Sequence, residues 1–150
     1  MTTRANIAEW LAHLEPGDWS SSVSGVLRVG STYDKDFADA FKTAKPAVWI
    51  LGQSSYAIGD ESEAGYTQIM RIRTRIELVL RLVIQRGIAG KWNNDAEMKL
   101  LYDAVVDRLF NWEPTGSETN VFFVAAEDGD TNNTFITVDL IVGYNVVKDG

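Results

Sequence analysis

The sequence contains no cysteine, and it has one histidine and three prolines among its 150 residues. Without thiols the chain forms no disulfides and no thiolate metal site. No run of apolar residues has the length of a membrane span. Lysine and arginine together number 14, against 21 aspartates and glutamates. The resulting formal net charge of -7 argues against non-specific binding of the whole molecule to nucleic acid or to an anionic membrane.

The residues of a catalytic centre are also scarce. His13 stands without a second histidine or a recognisable motif around it, although a general base or a metal ligand needs partners within reach. The serines do not occur in a Gly-x-Ser-x-Gly pattern, and the glycines form neither a phosphate loop nor a dinucleotide fingerprint. We therefore expect no enzyme activity, no cofactor and no metal, with His13 at the rim of an amphipathic helix.

The bulk composition is that of a globular protein. With 45% hydrophobic and 23% charged residues, the chain can build a core without covalent staples. Its length predicts one domain over residues 1–150. The N-terminus has no apolar signal-peptide core, which favours folding in a cytoplasm.

The most regular pattern in the chain runs from Arg71 to Ile84. One parity carries Ile72, Thr74, Ile76, Leu78, Leu80, Leu82 and Ile84, while the other carries four arginines, Glu77, Val79 and Val83. Alternation over this length predicts a long, half-buried β-strand. We expect its apolar end to lie at the centre of a sheet and its arginine end to reach outward.

The remaining patterns predict an α+β fold: a mostly antiparallel mixed sheet with helices packed on one face. Before the long strand, the predicted elements are a helix with Ile7, Trp10, Leu11 and Leu14 on one face, a short strand at Gly25–Val29, a short helix at Asp34–Ala44, a buried strand at Ala47–Leu51 and a long loop at Gln53–Thr67. After it, a helix is predicted from Asn93 or Asn94 to near Asn111. Two strands follow at Val121–Ala126 and Thr134–Val147, joined by a turn at Glu127–Asn133.

The turn contains Asp128-Gly-Asp130-Thr-Asn132, which resembles the opening of a calcium loop, and Asp139 falls at the twelfth position. However, the sixth position is Asn133 instead of glycine, and the flanking patterns predict strands where a calcium loop has helices. Asp-Gly and Asn-Asn are common in hairpin turns. The sequence therefore favours a turn over a cation site.

The arginines Arg71, Arg73, Arg75 and Arg81 form a stripe on one parity of the long strand. A solvated sheet face is one interpretation, because antiparallel sheets often keep one face wet. The other is an interface, since the guanidinium fork forms paired hydrogen bonds with carboxylates. We predict contacts from Arg71, Arg73 and Arg75 to acidic residues on another copy of the chain, with Asp60, Glu61, Glu63, Asp128 and Asp130 as candidates.

Three segments carry a family resemblance: Lys45-Pro-Ala-Val-Trp-Ile50, the alternating strand that follows Gln68, and the helix that closes with Leu109-Phe-Asn-Trp112-Glu-Pro114. Together with a final hairpin, they resemble the tail terminator (tail completion) proteins of long-tailed bacteriophages, the lambda-type minor tail proteins. The most specific piece is the Leu-x-Gly-Trp-x-Pro-like close of the helix. Its glycine is here Asn111, which also tolerates a left-handed cap. The resemblance spans about Ile7 to Val147.

The resemblance implies a structural virion protein without catalytic residues, assembled in the cytoplasm of a bacterial host. Such a subunit forms a homo-oligomer, a six-membered ring on the last ring of the tail tube. The ring contacts the tail tube protein, stops polymerisation and offers a surface to the head-completion or connector protein. DNA is involved only as it passes through the lumen. Two alternatives stay open: another phage neck or head–tail connector protein, and a small hydrolytic or ligand-binding domain with Gln53–Thr67 as a lid.

Overall fold

The computed structural model describes residues 4–14, 28–33, 47–58, 71–85, 91–129 and 135–149. These residues form two helices and five strands. In chain order they are α1 (Ile7–Leu14), β1 (Arg28–Ser31), β2 (Ala47–Ala57), β3 (Arg71–Gln85), α2 (Lys91–Leu109), β4 (Phe122–Asp128) and β5 (Phe135–Asp149).

The strands form one mixed sheet in the order β1-β2-β3-β5-β4. β1 runs parallel to β2, and the other three strand pairs are antiparallel. β3 lies in the middle and pairs with β5 along its whole length, from Arg71 opposite Asp149 to Gln85 opposite Phe135. The predicted long central strand and the predicted α+β class with a mostly antiparallel sheet are confirmed.

The alternation along β3 divides the sheet into two faces. Ile76, Leu78 and Leu80 point to the side we call the helix face, where they are completely buried. The odd-numbered residues from Arg73 to Arg81 point to the other side of the sheet, which we call the open face, and their side chains are half-buried or exposed. Both described helices pack on the helix face, as predicted. The core there combines Trp10 and Leu14 of α1, Met98, Leu101, Val105 and Leu109 of α2, and side chains of β2, β3 and β5.

The α2 helix buries the residues that recur every three or four positions, from Met98 to Leu109. It ends where Asn111 adopts a left-handed conformation with φ of 59°, so the predicted asparagine cap is confirmed. The predicted start at Asn93 or Asn94 is wrong, because the helix begins at Lys91. The first four N–H groups of a helix have no intrahelical acceptor and take polar side chains or water instead, so asparagine is compatible with the first turn as well as with the cap.

Two strands also extend further than predicted. β2 continues to Ala57, so residues 53–57 of the predicted loop are strand, paired from Gln53 opposite Leu78 to Ala57 opposite Thr74. Their side chains are mostly exposed, and the backbone hydrogen bonds offered by the longer β3 extend the strand without an apolar pattern. Likewise, Glu127 and Asp128 belong to β4 instead of the turn. The predicted strand at Gly25–Val29 shares Arg28 and Val29 with β1, which continues to Ser31; positions 25–27 lie outside the described residues. The predicted helix at Asp34–Ala44 and positions 59–67 of the predicted loop lie outside the described residues.

Candidate assembly surface on the open face of the sheet

The open face carries the predicted arginine stripe along β3. The backbone of Arg71 lies opposite Asp149 in the β3–β5 ladder. The side chains of Arg73 and Arg75 follow at alternate positions, and that of Arg81 lies on the same face after Glu77 and Val79. Asp128 ends β4 with an exposed side chain. The other predicted interface residues, Asp60, Glu61, Glu63 and Asp130, lie outside the described residues.

The structure does not bring Asp128 near Arg73 and Arg75 within one subunit. Asp128 lies opposite Val138, which in turn lies opposite Leu82 of β3. Leu82 is seven positions from Arg75, which is about 23 Å along a strand. The acidic end of β4 and the arginine end of β3 therefore lie at opposite ends of the sheet.

Arg81 forms the shortest ion pair of the open face among the described residues. It lies directly opposite Asp139 on β5, and its Nε and Nη2 donate to the two carboxylate oxygens at 2.8 and 3.0 Å. Both side chains are only about one-fifth exposed, at 22% and 20%. Because Arg81 engages both oxygens of Asp139, the twelfth position of the calcium-like pattern is already occupied. This favours the turn interpretation of that segment.

Arg75 is held by aromatic and acidic neighbours at the other end of the face. Its guanidinium carbon lies 4.9 Å from the centre of the Phe122 ring, within cation–π range. Its Nη1 donates to the Tyr56 hydroxyl at 3.3 Å, and that hydroxyl donates to Glu77 at 2.8 Å. We call Tyr56, Arg73, Arg75, Glu77 and Phe122 the arginine corner.

Glycine at position 143 makes the contact between β4 and Arg75 sterically possible. Gly143 lies on β5 between Glu77 of β3 and Phe122 of β4. A Cβ atom there would lie 2.9 Å from Cε2 of Phe122. The missing side chain lets the Phe122 ring lie across β5 towards Arg75.

Arg73 makes a longer contact to Glu118, a residue that the sequence patterns do not single out. Its Nη2 lies 3.4 Å from Oε1 of Glu118, and the two side chains are 46% and 37% exposed. Glu118 is held in place because its backbone N–H donates to the carbonyl of Asn145. Exposed ion pairs contribute little to stability, so Arg73 can exchange this carboxylate for another at small cost.

His13 has a structural position between the two helices. Its ring stacks on Trp112 at 3.9 Å with an angle of 5°, and its Nε2 lies 2.7 Å from the carbonyl oxygen of Arg108. Arg108 in turn donates from Nε to the carbonyl of His13 at 3.0 Å. These contacts tie the end of α1 to the end of α2.

Tyr144 lies next to this aromatic group, on the helix face. Its ring centre is 5.8 Å from that of Trp10. The pKa of the Tyr144 phenol is raised to about 12, chiefly because the group is buried; the neighbouring Trp10 indole lowers the pKa and the carboxylate of Glu9 raises it, both by smaller amounts. The phenol therefore stays neutral at any physiological pH.

The β4 edge is an exposed apolar feature that the sequence patterns do not predict. Phe123 and Val124 are 37% and 44% exposed, although both are apolar strand residues. A β-bulge between Phe123 and Ala125 shifts the register with β5 at this point. The sequence Phe-Phe-Val-Ala-Ala predicts a strand, but it cannot tell that this strand lies at the edge of the sheet.

Neither a membrane span nor a metal cluster occurs in the described part of the chain. Neither α1 nor α2 is long and apolar enough to cross a bilayer. Within the described ranges, no three histidine, aspartate or glutamate side chains converge on a point where a metal ion could bind.

The geometry defines the class of protein: an α+β fold with a five-stranded mixed sheet, two described helices on one face and a charged open face. Among solved structures, a chain of the virion of a native gene transfer agent (GTA) particle has this fold, with a TM-score of 0.64 over 96% of this chain and 96% of that one. The two sequences are 15% identical, so the likeness is one of fold. No protein-family model and no curated protein matches the sequence.

Proposed function

We propose that the protein is a structural component of a phage-like particle, and that it acts as a tail terminator. The observation that carries this proposal is the full-length fold likeness to a chain of the GTA virion, which covers 96% of both chains. Two proteins that occupy the same place in related particles are expected to match over nearly their whole length, as these two chains do. The resemblance of the sequence to tail terminators supports a more specific position in the particle, at the end of the tail tube.

Terminating a tube requires two different surfaces on one subunit. A tube of identical rings exposes the same growing face after every addition, because a heterologous interface continues without limit. Only a subunit that binds this face and presents a different one ends growth. The arginine corner and the acidic end of β4 lie at opposite ends of the sheet, which gives this subunit two surfaces of unlike charge.

The arginine corner is well suited to contacts between subunits. The Nε atom of Arg75 is buried and has no hydrogen-bond partner among the described residues. A buried donor without an acceptor is costly, so an oxygen from a neighbouring subunit would stabilise this arrangement. In a closed ring of six copies, such contacts are multiplied, and a ring binds a matching ring tightly although each subunit binds weakly.

The proposal assigns no chemistry to the protein. His13, the single histidine, uses its ring to join α1 and α2. We expect His13→Ala to lower the free energy of unfolding by about 1–2 kcal/mol, through the lost stacking and hydrogen bond. Folded His13→Ala protein should still support particle assembly, and loss of assembly without loss of folding would contradict a purely structural role.

The proposal is tested by electron microscopy of lysates from cells that produce the particle without this protein. We expect tails of abnormal, extended length and heads that do not attach. Purified protein added to such an extract should restore joining only if it arrives before the tubes overgrow. Tails of normal length with unattached heads would instead assign the protein to the head–tail connector, and normal complete particles would overturn a structural role.

A further inference from the structure

Two buried polar atoms of the open face lack a hydrogen-bond partner among the described residues, and they belong to cross-strand neighbours. They are Nε of Arg75, which is a donor, and Oδ1 of Asn145, which is an acceptor. The two residues lie directly opposite each other on β3 and β5, so their side chains share the open face. A buried donor or acceptor without a partner is costly, and here one of each kind occurs in the same cross-strand pair.

The polar contacts that hold Arg75 in its position are long. Its Nη1 lies 3.3 Å from the Tyr56 hydroxyl and 3.9 Å from Oε2 of Glu77, whereas Nε of Arg81 lies 2.8 Å from Asp139. The Arg75 side chain is also 34% exposed, so solvent screens its contact with Glu77. Only weak contacts therefore oppose a rotation of the guanidinium away from Tyr56.

Asn145 lies within reach of such a rotation. Residues directly opposite each other in an antiparallel pair have Cβ atoms about 4.5–5.5 Å apart, and Nε of an arginine lies three bonds beyond its Cβ. The backbone of Asn145 is fixed, because its N–H donates to Oγ1 of Thr119 at 3.1 Å and its carbonyl accepts from the N–H of Glu118 at 2.7 Å. The acceptor therefore stays in place when the arginine moves.

We propose that Arg75 has two arrangements and that Asn145 is the positioning residue that decides between them. In the first, which the structure shows, the guanidinium lies against Tyr56 and Phe122. In the second, Nε donates to Oδ1 of Asn145, and Nη1 leaves the Tyr56 hydroxyl. The second arrangement pairs both buried atoms within the subunit, whereas the first leaves Nε for an acceptor from a neighbouring subunit.

The inference rests on the proposed assembly contact of the arginine corner and adds its regulation. A partner that binds only the first arrangement shifts the population of Arg75 towards it. Association then has to break the internal hydrogen bond to Asn145, so this residue weakens the association of free subunits. Contacts at a tail end are multiplied around the ring, and they overcome the same cost.

The first test uses the purified full chain and does not depend on assembly. Arg75→Met removes the donor, and Asn145→Leu removes the acceptor at similar size. Urea denaturation of both variants and of the double variant should give a coupling of at least about fivefold in the unfolding equilibrium constant, because hydrogen bonds to charged groups are stabilising.

The neighbouring cross-strand pair provides the matched control. Arg73 lies directly opposite Val147, which offers no side-chain acceptor. Arg73→Met with Val147→Leu should show a coupling factor close to one. A coupling of the same size in this control pair, or no coupling between Arg75 and Asn145, would overturn the second arrangement.

The second test measures the protein concentration that caps half of the tails in an extract without the native protein. Asn145→Asp keeps the acceptor and adds a charge that favours the second arrangement, so this concentration should rise at least about fivefold. Asn145→Leu should lower it by a similar factor. Changes in the same direction, or no change, would overturn the role of Asn145. A protein that couples Arg75 to Asn145 but caps no tails would overturn the proposed function and confirm the internal hydrogen bond.

Discussion

The two faces of β3 differ in what holds them in place. On the helix face, Leu78, Leu80 and Leu82 are fully buried among apolar side chains. On the open face, Arg75 and Arg81 are held by directional contacts, each with its own carboxylate or ring. Burial is strong and has no direction, whereas charge contacts are weak and specific. The comparison indicates that the helix face supplies most of the stability, and we propose that the open face serves recognition.

The largest expected effect is a difference in unfolding free energy between substitutions at two neighbouring residues of β3. Leu80→Ala removes a fully buried side chain from the helix face and should lower the free energy of unfolding by about 3–4 kcal/mol. Val79→Ala, on the half-buried open face, should lower it by about 1 kcal/mol or less. Urea denaturation of both variants gives the two values. Equal losses would mean that the two faces contribute equally to stability.

The next effect concerns Tyr144 on the helix face at high pH. Its pKa is about 12 in the folded protein and about 10 in the unfolded chain. The unfolded state therefore loses its proton first, so the contribution of this residue is complete below pH 10 and is lost as the pH rises to about 12. The loss should be about 2 kcal/mol.

Tyr144→Phe provides the control for that experiment, because its ring keeps the packing without an ionisable group. The difference in unfolding free energy between wild type and Tyr144→Phe should change between pH 10 and 12 and should be constant below pH 9. A difference that does not vary with pH would show that the Tyr144 hydroxyl is hydrated in the folded protein.

A smaller difference in stability is expected between variants that break a partly buried and an exposed ion pair. Asp139→Ala removes both hydrogen bonds to the partly buried Arg81 and should cost about 1–2 kcal/mol. Asp103→Ala breaks the exposed pair with Lys99 on α2 and should cost at most about 0.5 kcal/mol. Thermal unfolding at low and high salt checks both values. A cost for Asp139→Ala that matches the surface control would mean that solvent screens the open face completely.

Much of the fold follows from local pattern. The alternation of Arg71 to Ile84 predicts the strand, its two faces and its central place, because one parity is apolar almost throughout. The other parity is apolar only at Val79 and Val83, and Val83 is buried with Ala47 and Trp49 in a second, smaller cluster. The left-handed turn at Asn111 is also visible, since few residues tolerate that conformation. The extension of β2 to Ala57 is not visible, because Gln53 to Ala57 form a strand only through the length of their neighbour β3.

The candidate site follows from the sequence to a smaller extent. The stripe of arginines predicts a charged face, and the structure adds partners that lie far away along the chain, such as Asp139 for Arg81 and Glu118 for Arg73. Such pairs depend on strand order and register. The exposure of Phe123 and Val124 likewise depends on β4 being at the sheet edge, which no local pattern encodes.

If the arginine corner serves recognition and the helix face supplies stability, one variant of the arginine corner should separate the two. Arg73→Glu with Arg75→Glu changes two side chains of the open face and leaves the core untouched. The measurement is the length of tails and the fraction joined to heads in an extract that lacks the native protein, with the unfolding free energy of the same sample as control. We predict an unfolding free energy within about 1 kcal/mol of wild type and tails that are neither capped nor joined. Normal capping by this variant would contradict the account.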